Sequence, residues 1–210
     1  MSDTEVLYVF DRDLEREQNC RVIGIDEAGR GPLAGPVVAA AVILDLTRPI
    51  DGVNDSKKVT PIKRAALFDA ICEGALAWAV GEASHEEIDR YNILQATFLA
   101  MKRALDNIRE PWTMALVDGN QYIPSIARPV QLPVVKGDGK SASIAAASIL
   151  AKVTRDRIME RYHGLYPAWE FSAHKGYGTE QHCRRIGEIG LCAIHRKSFC
   201  HKFIEEPRCL

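Results

Sequence analysis

Four acidic side chains fall where apolar runs stop. Asp26 and Glu27 follow residues 21–25 (RVIGI), Asp118 follows residues 113–117 (TMALV), and Asp138 follows residues 133–137 (PVVKG). Glycine stands close to each of them, at Gly29, Gly119, Gly137 and Gly139. In α/β sheets ligands bind in the crevice beyond the strand ends, so three strands can deliver four carboxylates to one place. Acids gathered there raise one another's pKa unless a positive charge sits among them. A hard divalent cation meets that need, and an all-oxygen donor set that leaves positions for water suits Mg2+ or Mn2+. Two such ions about 4 Å apart activate a water and stabilise the leaving oxygen in phosphodiester cleavage. Taken singly, each acid beside a glycine also reads as a turn; recurrence at three strand ends favours the metal site.

Two phosphate-binding patterns fail on context. Gly137-Asp138-Gly139-Lys140-Ser141 resembles the end of a P-loop, but Val134 stands where that pattern requires glycine. Residues 29–34 (GRGPLA) match a relaxed dinucleotide fingerprint, which must open a helix. Pro32, Gly35, Pro36 and the β-branched run beyond them favour a strand instead.

The elements that must position the acids follow from periodicity and punctuation. Strands are expected at residues 21–26, 37–44 and 75–83, with a helix from Pro61 to about Cys72 capped by Thr60. Connections this short favour an antiparallel meander. Ser84 and Glu87 form a capping-box pattern. Asn92 caps a longer helix whose stripe runs through Ile93, Thr97, Ala100, Met101, Ala104, Leu105 and Ile108, ending before Pro111. Further strands are expected at 113–117 and 129–135, a long helix at 141–162, a Gly-rich loop at 171–179 and a last helix from 179 to about 188. The sum is an α/β domain with a mixed sheet and a helical C-terminal portion.

The chain has 210 residues, 47% hydrophobic and 26% charged, which excludes a disordered polymer. Its longest wholly apolar run, Val37–Leu44, is too short for a membrane helix. The opening residues are acidic rather than signal-like, so a cytoplasmic protein is expected. Net charge is −1, but residues 1–135 hold 14 basic against 20 acidic side chains and residues 136–210 hold 13 against 8. That asymmetry permits a polyanion site on one side. Six cysteines without a Cys-x-x-Cys pair read as reduced structural thiols. The crowd of His182, Cys183, Cys192, His195, Cys200, His201 and Cys209 fits no common zinc-finger spacing.

The blocks IDEAGRGPLAGPVVAAAVIL, NDSKK, LVDGN, VVKGDGKSASIAAASILAKVTRD and AHKGYGT occur here in the order seen in type 2 ribonuclease H. From residue 22 to about 198 the chain resembles the bacterial ribonuclease HII family. It departs at Gly139, where the family often has another small residue. The resemblance implies a ribonuclease H-like fold, a central mixed five-stranded sheet flanked by helices, with a helical C-terminal extension. Residues 1–19 are then an acidic N-terminal extension, 20–165 the catalytic domain, and 166–210 a substrate-binding extension packed on the same unit. It implies an endonuclease that cuts the RNA strand of RNA–DNA hybrids and nicks DNA duplexes 5′ of embedded ribonucleotides, leaving 3′-hydroxyl and 5′-phosphate ends.

By the same resemblance, Asp26, Glu27, Asp118 and Asp138 are the catalytic, metal-holding acids, the set already selected by the strand ends. Asp156 looks like a further acid assisting the second ion, although beside Arg155 and Arg157 it also reads as a surface ion pair. Gly29, Arg30 and Gly31 are expected to read the 2′-hydroxyl through the backbone and grip the adjacent phosphate. Tyr177 is expected to stack on the following sugar. Lys57, Lys58, Lys140, Ser141, Lys175, Arg196 and Lys197 are candidate phosphate contacts. His174 and His195 are better read as loop hydrogen-bonders than as general bases. Expected cofactors are Mn2+ or Mg2+, and the expected state is a monomer. No docking motif among Phe199, Phe203 and Leu210 supports recruitment by a replication clamp. A binder that had lost catalysis would tolerate loss of an acid, and all four are present.

Overall fold

The computed structural model describes residues 2–54 and 60–204. Lys57 and Lys58 lie outside the described residues. Five strands, β1 (Val22–Ala28), β2 (Val37–Leu44), β3 (Ala75–Ala83), β4 (Met114–Asp118) and β5 (Gln131–Val134), form one sheet in the order β3-β2-β1-β4-β5. The first three make the expected antiparallel meander, while β1, β4 and β5 run parallel. All eight side chains of β2 are buried, as a strand covered on both faces requires. The parallel trio points its carboxyl ends the same way, which is what brings Asp26, Glu27 and Asp118 to one edge of the sheet.

Helices cover both faces. On one face lie α1 (Asp3–Gln18), α2 (Pro61–Gly74) and α4 (Ala142–Leu165), and their apolar side chains join Val22, Val42 and Leu116 in one core. On the other lies α3 (His85–Asp106), packed on Ile23, Ile25 and Val117. Close packing of α4 on β1 uses the smallest side chains available: a Cβ on Gly24 would stand 2.1 Å from the Ser143 carbonyl carbon. The capping box at Ser84 and Glu87 is present. Asn92 interrupts α3 at φ 66°, its Oδ1 accepting from Leu94 N at 3.0 Å and Gln95 N at 3.2 Å. The expected second helix start is thus a kink within one element.

The N-terminal segment, left unassigned by the sequence reading, is a helix built into the core. Leu7 and Tyr8 are buried, Glu15 Oε1 accepts from Val22 N at 2.9 Å, and Asp11 Oδ2 accepts from Ser143 N at 2.8 Å. The C-terminal portion comprises α5 (Phe171–His174), α6 (Glu180–Ile189) and α7 (His201–Ile204), so the first half of the expected 171–179 loop is a helical turn. Phe171, Ile194 and Met159 form a third, smaller core beneath it. Among the described residues no helix is long and apolar enough to cross a membrane.

Candidate active site

A cavity of about 210 Å³ opens at the carboxyl ends of β1 and β4. It is lined by Asp26, Glu27, Ala28, Gly29, Arg64, Asp118, Ser148, Lys152 and Tyr177. Successive strand residues face opposite sides of a sheet. Asp26 accordingly turns toward Ser148 of α4 and hydrogen-bonds its side chain. Glu27 reaches a second recess of about 40 Å³ beside α3, which it shares with Arg30 and Asp118. Asp138 does not line the cavity. It is buried in a 3-10 turn, Gly137–Gly139, that adjoins it. The Gly137 amide donates to Asp118 Oδ1 at 2.6 Å, tying that turn to the end of β4.

Burial sets the electrostatics. Asp26 is held well above the ordinary carboxylate range, first by burial and then by the charges of Glu27 and Asp118. Burial also raises Glu27, an effect the neighbouring Arg30 partly offsets. Each acid is engaged by a protein donor: Asp26 Oδ1 by Glu27 N at 2.7 Å, Glu27 Oε1 by Arg30 Nη1 at 3.1 Å, and Asp118 by Gly137. Among the described residues no group of three or more His, Cys, Asp or Glu side chains is arranged to hold a metal ion. The donor chemistry nevertheless fits a hard divalent cation. The side chains are carboxylates, the cavity leaves room for water, and a charge of +2 would relieve the repulsion that raises Asp26.

The Gly29, Arg30 and Gly31 loop rests on two buried guanidinium groups. Arg196 donates to the carbonyl oxygens of Gly29 at 2.6 Å, Gly35 at 2.9 Å, Arg30 at 3.0 Å and Pro36 at 3.2 Å. Arg155 donates to Pro36 O and Lys175 O at 3.0 Å and to Ala34 O at 3.1 Å. Burial pushes Arg196 down to about 9, and the charge of Arg155 adds to the effect. Gly29 has φ +97°, and a Cβ there would stand 2.0 Å from Arg155 Nε; only glycine fits. At Gly31 the nearest atom to such a Cβ is Tyr177 Cε1 at 3.9 Å. Gly31 therefore lies next to the ring of Tyr177, which lines the cavity.

The remaining candidates divide. Lys140 is exposed beside the Asp138 turn, and Lys197 is exposed. Ser141 is wholly buried, and its hydroxyl caps α4 by accepting from Ile144 N at 3.2 Å. In the structure it acts as a helix cap. Arg196 directs its donors onto carbonyl groups. Lys175 is turned onto Glu160 and the Ser172 carbonyl. Asp156 pairs with Lys152 Nζ at 2.8 Å, not with Arg155 or Arg157, and so lies one helical turn from a cavity-lining residue. His174 and His195 engage both ring nitrogens in the C-terminal portion, away from the acids. Arg64, Ser148 and Lys152 were missed. Ser148, Lys152 and Asp156 recur every four residues on one face of α4, a readable signal; Arg64 carried none.

A mixed five-stranded sheet in the order β3-β2-β1-β4-β5, flanked by helices, is a ribonuclease H-like fold. Residues 23–202 match the family described as Ribonuclease HII. Over 178 residues the chain is 59% identical to a protein of Dechloromonas aromatica (strain RCB) named Ribonuclease HII, covering 85% of this chain and 90% of that one. Its fold is similar to the ribonuclease H2 from Pyrococcus horikoshii OT3, with a TM-score of 0.70 and 27% identity over 89% of this chain and all of that one. It also resembles Bst-RNase HIII, solved in complex with Mn2+, at a TM-score of 0.62 and 22% identity over 81% of this chain and 63% of that one, a likeness of fold alone. The chain belongs to the ribonuclease HII family. It is a divalent-metal-dependent endoribonuclease of the H type, acting on RNA–DNA hybrids.

Proposed function

We propose that this protein also nicks DNA duplexes on the 5′ side of an embedded ribonucleotide, leaving a 3′-hydroxyl and a 5′-phosphate, and so removes ribonucleotides and RNA primers from DNA. The observation that carries the reading is one cavity lined by three acids, the start of the Gly29, Arg30 and Gly31 loop, and Tyr177. Asp26, Glu27, Asp118 and Asp138 are the residues that would hold two Mn2+ or Mg2+ ions, with Asp156 beside them. When bound, such ions supply water activation and stabilisation of the leaving oxygen.

The chain's own residues supply the selectivity. With no side chain at Gly29 and Gly31, the backbone approaches the sugar closely enough to read the 2′-hydroxyl, the group that separates RNA from DNA. Arg30 is half-exposed beside Glu27 and grips the adjacent phosphate. Arg155 and Arg196 place positive charge beneath that loop. Tyr177, 41% exposed, offers a ring face to the next sugar. Lys140, and Lys57 from the sequence, follow the phosphate backbone.

Asp118→Asn tests the reading. The variant is expected to bind a hybrid with affinity close to the parent and to lose cleavage by at least ~10³-fold. Unchanged cleavage would remove Asp118 from the reaction.

A further inference from the structure

A chain of hydrogen bonds through two buried histidines ends on the backbone of Tyr177. His195 Nδ1 stands 2.9 Å from the Cys192 amide nitrogen, 3.1 Å from Cys192 Sγ and 3.3 Å from the Cys192 carbonyl oxygen. The shortest and directional contact is the donating amide, so the nitrogen is assigned as acceptor and the ring proton to Nε2. His195 Nε2 stands 3.1 Å from His182 Nε2, and one of the two must donate. His195 therefore donates and His182 accepts. The proton of His182 then lies on Nδ1, 2.9 Å from the carbonyl oxygen of Tyr177, to which it donates. Each ring has one proton and each proton has one acceptor. Both rings are buried, at 0% and 2% exposure, and burial pushes both pKa values down to about 4. At neutral pH both rings are uncharged, as this arrangement requires.

The ring at the end of this chain needs such support. Tyr177 is 41% exposed and lies between Gly176 and Gly178, so its own chain neighbours offer no side chain to brace it. Its amide donates to His174 O at 2.9 Å, and its carbonyl accepts from His182 and from Thr179 N at 2.8 Å. On the other side its ring meets the Arg155 guanidinium and Lys152 Nζ, each 5.7 Å from the centroid. The same His195 pairs its backbone with Ala34, just beyond the Gly29, Arg30 and Gly31 loop.

We propose that His182 and His195 are positioning residues for Tyr177, the neutral pair holding its carbonyl and so setting the angle at which its ring closes the wall of the catalytic cavity. The inference rests on the reading of Tyr177 as a substrate contact. Asparagine places an amide nitrogen where Nδ1 of histidine stands, so His182→Asn keeps the donor to Tyr177, whereas His182→Ala removes it.

The test reads kcat and KM on a duplex with one ribonucleotide for both variants, alone and combined with Tyr177→Ala. His182→Ala is expected to lose roughly tenfold in kcat/KM, about the worth of one hydrogen bond, and His182→Asn to restore most of it. Beside Tyr177→Ala, adding His182→Ala is expected to change kcat/KM less than about twofold, because the two act as one unit. Should His182→Ala fail to fold, the pair His195→Gln (donor kept) and His195→Ala (donor removed) gives the same comparison. Effects that multiply, an asparagine variant as poor as the alanine one, or an alanine variant equal to the parent would each overturn the proposal. A Tyr177→Ala variant that cleaves like the parent would overturn it differently, through the reading of Tyr177 itself; the histidine proton positions, seen by 15N NMR, would then still be as assigned.

Discussion

The amide of Gly137 lies 2.6 Å from Oδ1 of Asp118. One of the acids proposed to hold the metal thus anchors the turn that carries another, Asp138. A Cβ on Gly137 would stand 2.6 Å from Ile144 Cδ1 and 3.2 Å from Asp118 Oδ1. Gly137→Ala is therefore expected to fold while displacing the turn, with kcat reduced about 10²-fold, the size reported by misplacements of about an ångström at reacting centres. Steady-state kinetics checks this; a parental kcat would show that the turn's position is immaterial.

Arg196 offers a second expectation. Its guanidinium serves four carbonyl groups in a fully buried site, a fork that a single ammonium cannot reproduce. Arg196→Lys keeps the charge, yet it is expected to lose about 2 to 4 kcal/mol of stability because buried carbonyls are left without donors. Urea unfolding measures the loss. A lysine variant as stable as the parent would refute the role given to the fork.

Asp11 predicts a pH dependence. Burial at the interface of α1 and α4 raises it to about 6, an effect that the Ser141 side chain and the Ser143 amide, which donates to Oδ2, partly offset. An acid whose folded pKa exceeds its unfolded value makes the folded state bind more protons, so its contribution to stability is lost as pH rises from about 4 to about 6. Asp11→Asn removes that loss. Relative to the parent, the variant is expected to gain about 2 to 3 kcal/mol on moving from pH 4 to pH 7. His182 and His195 titrate in the opposite sense in both proteins and cancel from the comparison. Parallel stability curves for the two proteins would contradict the assignment.

Much of this was legible in the sequence, for physical reasons that differ by element. β2 and β3 begin and end where their apolar patterns do, and Thr60 and Ser84 cap the helices they were expected to cap. The acids were legible because each ends an apolar run beside glycine. The N-terminal helix was not read, although Ser2 and Glu5 begin it and Leu7, Tyr8, Asp11 and Leu14 share its inner face; the charges at Asp3, Glu5, Asp13 and Glu17 masked that stripe. Arg155 and Arg196 were unreadable as buried groups, because an arginine among basic neighbours reads as solvated surface. Only the folded chain shows that their partners are carbonyl groups far away in sequence. The partners of Ser141 and Lys175 were unreadable for the same reason: local groups take up donors and acceptors that spacing alone leaves free.

The most direct test of the central claim is cleavage of a labelled DNA duplex containing one ribonucleotide, in Mn2+, Mg2+ or EDTA, beside an all-DNA duplex. The carboxylate site predicts a nick on the 5′ side of the ribonucleotide with a divalent ion, none in EDTA, and none in the all-DNA control. Cleavage that persists in EDTA, or folded protein that cuts with neither ion, would contradict it.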